Sequence, residues 1–347
     1  MMSTALRAAL PPPPNSVFIA KLEHFSRHWD EYDTIFLGSS HVYRHLDPAR
    51  FDAIMASGGH PTRSLNLGVQ ALSALEARYL LDLIASHPPT ALRTLFIGPL
   101  ENTLDSAGNL ESHRVRFWHT PSLTLKVCRL ILDTNVTPAR KLELLDQHGR
   151  LFLARTTNEG RLRSVLEPWI TGTDESRHLD REHQRVATEA WIGNQNNGFQ
   201  SLDDAFLTAT GDERARLERR RKHWQESRLS FPDLVESWRG ERMVTELSET
   251  DRRLVDLLVN ASVPDGVEMI FITHPTPKRP DETRLDLLAA EREKMIPALL
   301  DLGDPDRHLD LYDPDLRFDL AHLNVRGATM LTDALARDFL DYLKRSE

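Results

Sequence analysis

"TIFLGSSHVYRHLDP", residues 34–48, joins an unbroken apolar run to a small-residue turn and then to a segment rich in histidine and arginine. A strand without polar alternation is the kind that a parallel sheet covers on both faces. Gly38, Ser39 and Ser40 follow it where such a strand comes up to the surface. Open parallel sheets bind ligands beyond the carboxyl ends of their strands, so this turn is the place to look for chemistry.

Outward from this stretch the same alternation recurs. On the amino side, Phe18, Leu22, Phe25 and Trp29 have helical spacing. On the carboxyl side, "RSLNLG" reads as a strand, and Leu72, Leu75, Leu80 and Leu83 form a helix stripe. "RTLFIGP" (93–99) and "VEMIFITHP" (267–275) read as further buried strands, and "RHLDLYDP" (307–314) as a fifth. A final helix follows Asn324 as its cap, with Leu331, Leu335, Phe339 and Tyr342 on one side. Strands alternating with helices predict a three-layer α/β/α, doubly wound parallel sheet.

Roughly 160 residues separate the third and fourth strands, where a crossover needs a dozen or so. Residues 1–103 and 260–347 are therefore read as the α/β domain, with 1–15 a flexible proline-rich leader and 104–259 a mostly helical insertion or lid. Inside it, "ERARLERRRKHW" (213–224) reads as a solvated basic helix face, or else a receiver of an anionic substrate or partner. "GNQNNGFQSLDD" (193–204) reads as a loop able to hydrogen-bond a polar substrate such as a sugar.

A net charge of -9 argues against a general nucleic-acid binder. The single cysteine, Cys128, cannot form an internal disulfide and reads as an inert buried thiol. No stretch approaches the ~20 apolar residues of a membrane span, and the apolar patch before the prolines is too short for a signal peptide. The simplest expectation is a cytoplasmic protein.

A serine hydroxyl is a weak nucleophile unless a base lies within hydrogen-bond reach and another group orients that base. Of the 15 histidines, His322 in "RFDLAHLNVRGA" is the informative one, because Asp319 precedes it by three residues just before the last helix. That spacing can set a carboxylate against one ring nitrogen and leave the other free to take a proton. His41 beside the turn and His274 at the end of the fourth strand are candidates for substrate contact, or for purely structural roles. No Cys/His pattern suggests a metal site, and no cofactor is expected.

"FLGSSHVYRHLDP", "LNLGVQALS" and "DLAHLN" together resemble the first, second and last blocks of the SGNH (GDSL-like) hydrolase superfamily. The resemblance implies a flavodoxin-like fold with Ser40 as nucleophile, His322 as base and Asp319 as its partner. It implies an oxyanion hole formed by the N–H groups of Ser40 and Gly68 and by the third-block asparagine. The third block departs from the family's Gly-x-Asn-Asp: in "IGPLENTL", Asn102 lies four residues past Gly98, so Asn102, Glu101 or a backbone N–H could take that place. Such departures are similar to branches that include polysaccharide O-acetyltransferase-like proteins. The expected function is a serine-dependent esterase acting on a small-molecule or carbohydrate ester. The alternatives are an O-acyltransferase using the same triad and a binding protein that keeps only the fold.

Overall fold

The computed structural model describes residues 17–101, 104, 115–157, 191–193, 195, 197–237, 246–261, 263–276 and 282–346. Its sheet has five parallel strands in the order β2-β1-β3-β4-β5. They are β1 (Thr34–Leu37), β2 (Ser64–Asn66), β3 (Thr94–Ile97), β4 (Glu268–Ile272) and β5 (Leu299–Leu300). All four residues of β1 are buried, because β2 and β3 pair with its two edges and helices cover its two faces.

The alternation of side chains along each strand sorts the core into two clusters. Ile35, Leu37, Leu95, Ile97 and Phe271 share one face with α1 (Val17–His28), α4 (Ala74–Ser86), α6 (Pro121–Asp133) and α11 (Glu249–Val259). Phe36, Phe96 and Ile270 share the other with α2 (Ser40–His45), α3 (Pro48–Ser57) and α13 (Val325–Ser346). The Phe36 and Phe96 rings stack at 5.1 Å, and Phe339 of α13 meets Phe96 edge-on at 5.0 Å. A parallel sheet with helices on both faces is thus present.

Local sequence sets the helix starts. Asp47 accepts from the Ala49 N–H at 3.0 Å, with Pro48 as the first helical residue of α3. Ser73 and Glu76 form a reciprocal capping box on α4. Asn324 accepts from the Gly327 N–H at 2.9 Å on α13.

Two expectations need correction. The fifth strand is Leu299–Leu300, and "RHLDLYDP" instead forms the 3-10 turns Leu309–Tyr312 and Pro314–Leu316. There the Asp313 side chain accepts from the Asp315 N–H at 2.8 Å, a local bond that competes with a ladder. Cys128 is partly exposed, since it sits beside Val127 and off the buried stripe of α6.

Among the described residues, 104–259 holds helices and turns but no strand: α5 (Val115–Trp118), α6, α7 (Pro138–Thr156), α8 (Leu202–Thr208), α9 (Gly211–Ser227), α10 (Phe231–Glu236) and α11. Trp118 and α6 at one end and α11 at the other bury apolar residues in the first cluster with the sheet. Between them, Leu202 and Leu217 pack on Phe318, and Trp224, Phe231 and Val235 pack on Tyr312. These two small clusters bring α9 against the loop that precedes α13. No described helix is long and apolar enough to cross a membrane.

The strand ends also fix α2 in height. A Cβ on Gly38 would meet Val42 Cγ2 at 2.4 Å, and one on Gly98 would meet the same atom at 2.1 Å. Val42 therefore rests on two bare backbones at the ends of β1 and β3, which only glycine permits.

Candidate functional site

Ser40 is the first residue of α2, immediately past the turn that ends β1. The Ser39 N–H donates to the Pro99 carbonyl at 2.9 Å, which ties this turn to the exit of β3. Asn66, fully buried at the end of β2, donates from Nδ2 to the carbonyls of Val42 at 2.7 Å and Leu46 at 2.8 Å. Gln200 accepts from the Tyr43 hydroxyl at 2.9 Å and from Arg44 Nη1 at 2.8 Å. The helix carrying Ser40 is thus held from below, from its end and from its side.

The second half comes from residues 317–323. Arg317 and Leu323 form an antiparallel bridge, and the Phe318 N–H donates to the His322 carbonyl at 2.9 Å. The bend between them lets Asp319 Oδ1 accept from the N–H groups of Ala321 at 2.8 Å and His322 at 2.9 Å. The same oxygen lies 3.0 Å from His322 Nδ1, and His322 Nε2 lies 2.9 Å from Ser40 Oγ. Asp319 and His322 are both buried, at 3% and 9% exposure.

Burial lowers the His322 pKa, and the hydrogen bond and charge of Asp319 oppose that fall. Burial by itself would raise the Asp319 pKa, but the hydrogen bond from His322 and the charges of His322 and Arg220 hold it below the ordinary carboxylate value. The pair is arranged to take a proton on Nε2 while a carboxylate steadies the far side of the ring.

Three more imidazoles crowd His322. The His41 ring lies 5.3 Å from it and 3.6 Å from the His274 ring, and His45 lies 5.6 Å from it. His41 sits with Nδ1 3.3 Å from Ser39 Oγ and Nε2 3.2 Å from the Ala321 carbonyl, so it links the two loops of the site. The Leu323 N–H donates to His45 Nε2 at 3.0 Å, which makes that nitrogen an acceptor and keeps the ring neutral. Burial, then the neighbouring rings, holds His41 and His45 well below the usual imidazole range. Among the described residues no three His, Cys, Asp or Glu side chains are placed to hold a metal ion.

The oxyanion candidates are placed differently. Ser40, at the start of α2, has an N–H with no intrahelical acceptor. The Gly68 N–H already donates to Asn66 Oδ1 at 2.9 Å, and a Cβ there would meet the Tyr43 nitrogen at 2.5 Å. In this arrangement Asn66 and Gly68 act as a brace that brings β2 against α2. Glu101 is exposed, and its backbone joins Leu72 at 2.9 Å and Ala74 at 3.2 Å. Asn102 lies outside the described residues.

Arg220 of α9 lies in the basic run 213–224, whose letters mark it as a solvated face or a receiver of an anion but not as a neighbour of the triad. Its Nη2 lies 2.5 Å from Asp319 Oδ2 and 2.7 Å from His322 Nδ1. Leu217 and Trp224 are the buried residues of α9, seven apart. Position 220 lies between them on the same side of the helix, and that spacing is the signal that marks it as inward-facing. A scan against protein-family models gives no match for this chain, and a search of curated proteins finds no similar sequence.

Proposed function

We propose that the protein is a serine-dependent acyl hydrolase of the SGNH type. The observation that carries this reading is the contact chain Ser40 Oγ to His322 Nε2 at 2.9 Å and His322 Nδ1 to Asp319 Oδ1 at 3.0 Å. It joins residues 282 positions apart at the carboxyl end of the sheet.

In the proposed reaction Ser40 Oγ attacks the ester carbonyl as its proton passes to His322 Nε2. The tetrahedral oxyanion is met by the Ser40 N–H. Collapse breaks the bond to the alcohol oxygen, which leaves with the proton from Nε2. Water then gives a proton to Nε2 and its oxygen to the acyl carbon, and release of the acid returns the proton to Ser40. Asp319 keeps the ring oriented and stabilises its charged form throughout.

The direct test is labelling by a fluorophosphonate, together with hydrolysis of 4-nitrophenyl acetate. Native protein takes the label at Ser40 and turns over the ester, whereas Ser40→Ala does neither. A folded native protein that resists the label and cleaves no ester leaves the fold as a binding scaffold.

A further inference from the structure

The electrostatics of the site are lopsided. Arg44 and Arg220 both act on His322, and Arg44 and Arg317 both act on His45. Arg44 and Arg317 are each 5% exposed, and neither forms an ion pair among the described residues. Arg44 Nε and both Nε and Nη1 of Arg317 are buried with no hydrogen-bond partner among the described residues. A guanidinium keeps its proton in a protein, so these charges cannot be relieved by titration. Glu213 acts on Arg44 and Asp319 on Arg317, but neither carboxylate is in ion-pair contact with its arginine, so the two buried charges are only partly balanced and further negative charge is favoured.

Arg220 is the arginine of this group that substrate can reach, with about a third of its side chain (32%) exposed. Its position also conflicts with the triad. His322 Nδ1 faces a pure donor, Arg220 Nη2, at 2.7 Å and a pure acceptor, Asp319 Oδ1, at 3.0 Å. A protonated Nδ1 satisfies Asp319 and opposes Arg220. An unprotonated Nδ1 satisfies Arg220 and sends the ring proton to Nε2, where it faces Ser40 Oγ and cannot accept the serine proton. Asp319 Oδ1 is held by two backbone N–H groups, while its buried Oδ2 meets Arg220 as an ion pair at 2.5 Å, so Arg220 can leave Nδ1 and still face the carboxylate.

We infer that the substrate carries an acidic group, a carboxylate, phosphate or sulfate, that Arg220 binds, and that this contact draws the guanidinium off His322 Nδ1. The inference rests on the hydrolase reading for its consequence in turnover. It makes Arg220 the specificity-determining residue, with the buried charges of Arg44 and Arg317 supplying a positive field that favours anions. The acid then selects itself: its arrival leaves Nδ1 to Asp319 and Nε2 free to act as base.

Two matched ester pairs test it. Phenyl hemisuccinate against its methyl ester places the charge on the acyl side, and 4-acetoxybenzoate against its methyl ester places it on the alcohol side. Native protein should favour the acid over the neutral ester by at least about tenfold in kcat/KM in one of the pairs. Arg220→Gln should bring that ratio toward one, and Arg220→Lys should keep part of it. A purely structural role would lower both members of a pair together and leave the ratio unchanged.

A native ratio of one or less in both pairs overturns the inference, as does a ratio that survives in Arg220→Gln. Should that variant not fold, the native ratio is followed with salt: it should fall as ionic strength rises, and a salt-independent ratio overturns the inference. Fluorophosphonate labelling of the same preparation separates the two proposals. Labelled protein with no acid preference sinks only the anion site, and unlabelled protein sinks the hydrolase. Inorganic phosphate gives a readout without turnover: it should raise the melting temperature of native protein more than that of Arg220→Gln, and an equal or absent shift overturns the site.

Discussion

His148 and His322 are both buried imidazoles, yet their partners differ in kind. His148 Nδ1 lies 3.0 Å from Nε2 of His119, which in turn stacks on Trp118 at 3.7 Å. Burial pushes His148 down to about 4, so this ring is a neutral filler in α7. His322 is desolvated in the same way, but it has a carboxylate at Nδ1 and a hydroxyl at Nε2. Burial alone makes a ring that refuses protons, and a carboxylate behind it restores part of its basicity.

The sharpest way to break this comparison is to remove the hydroxyl. Ser40→Ala should lower kcat/KM at least ~10⁴-fold, while His148→Gln should leave ester hydrolysis near the native rate. Equal losses in the two variants would show that the site has no privileged histidine. Next, Asp319→Asn should cost roughly 10³- to 10⁴-fold in kcat, because the amide can hold the ring in the wrong tautomer. Steady-state kinetics on 4-nitrophenyl acetate reads both.

Acid should affect both places, and the sign follows from the direction of the shifts. His41, His45, His148 and His322 are all lowered, with burial as the first cause, so below the ordinary value of 6.5 the unfolded chain binds more protons than the folded one. Their contribution is therefore complete above pH 6.5 and is lost as pH falls through the folded values, which for His148 means toward about 4. His148→Gln should reduce the stability lost between pH 7 and pH 4 by up to about 3 kcal/mol. Urea midpoints at the two pH values measure it. The acid limb of kcat/KM, set by His322 facing Asp319, Arg220 and Arg44, should have its midpoint below 6.5.

The smallest effect concerns the brace. Asn66→Ala removes the donors to the Val42 and Leu46 carbonyls and should cost about 1–3 kcal/mol in urea unfolding. It should also lower kcat, because α2 loses its fixed end. A change in stability with native kcat would separate the brace from the chemistry.

The parts of the molecule legible in the letters are those whose physics is local. The unbroken run Ile35, Phe36, Leu37 could only be a strand covered twice, and Asp319 with His322 is a spacing that one bend of chain can close. Leu299–Leu300 is too short for periodicity to reveal, and it pairs only because Phe271 and Ile272 of β4 lie alongside. Asn66 and Gly68 stand out as a motif, but letters do not say that Asn66 takes up the Gly68 N–H. Arg220 was hidden for another reason. Its partners lie about a hundred residues away, and six basic residues in one run look like solvent-facing charge until Leu217 and Trp224 are used to orient the helix.

The two glycines beneath Val42 make catalysis answer to bulk in a place that touches no substrate. A methyl group at position 98 would act as a shim under α2 and lift Ser40 from His322, while a Val42→Ala partner would make room for it. Alanine at 98 alone and together with Val42→Ala should therefore behave as lesion and suppressor, a genetic signature that links the floor of the sheet to the reacting hydroxyl.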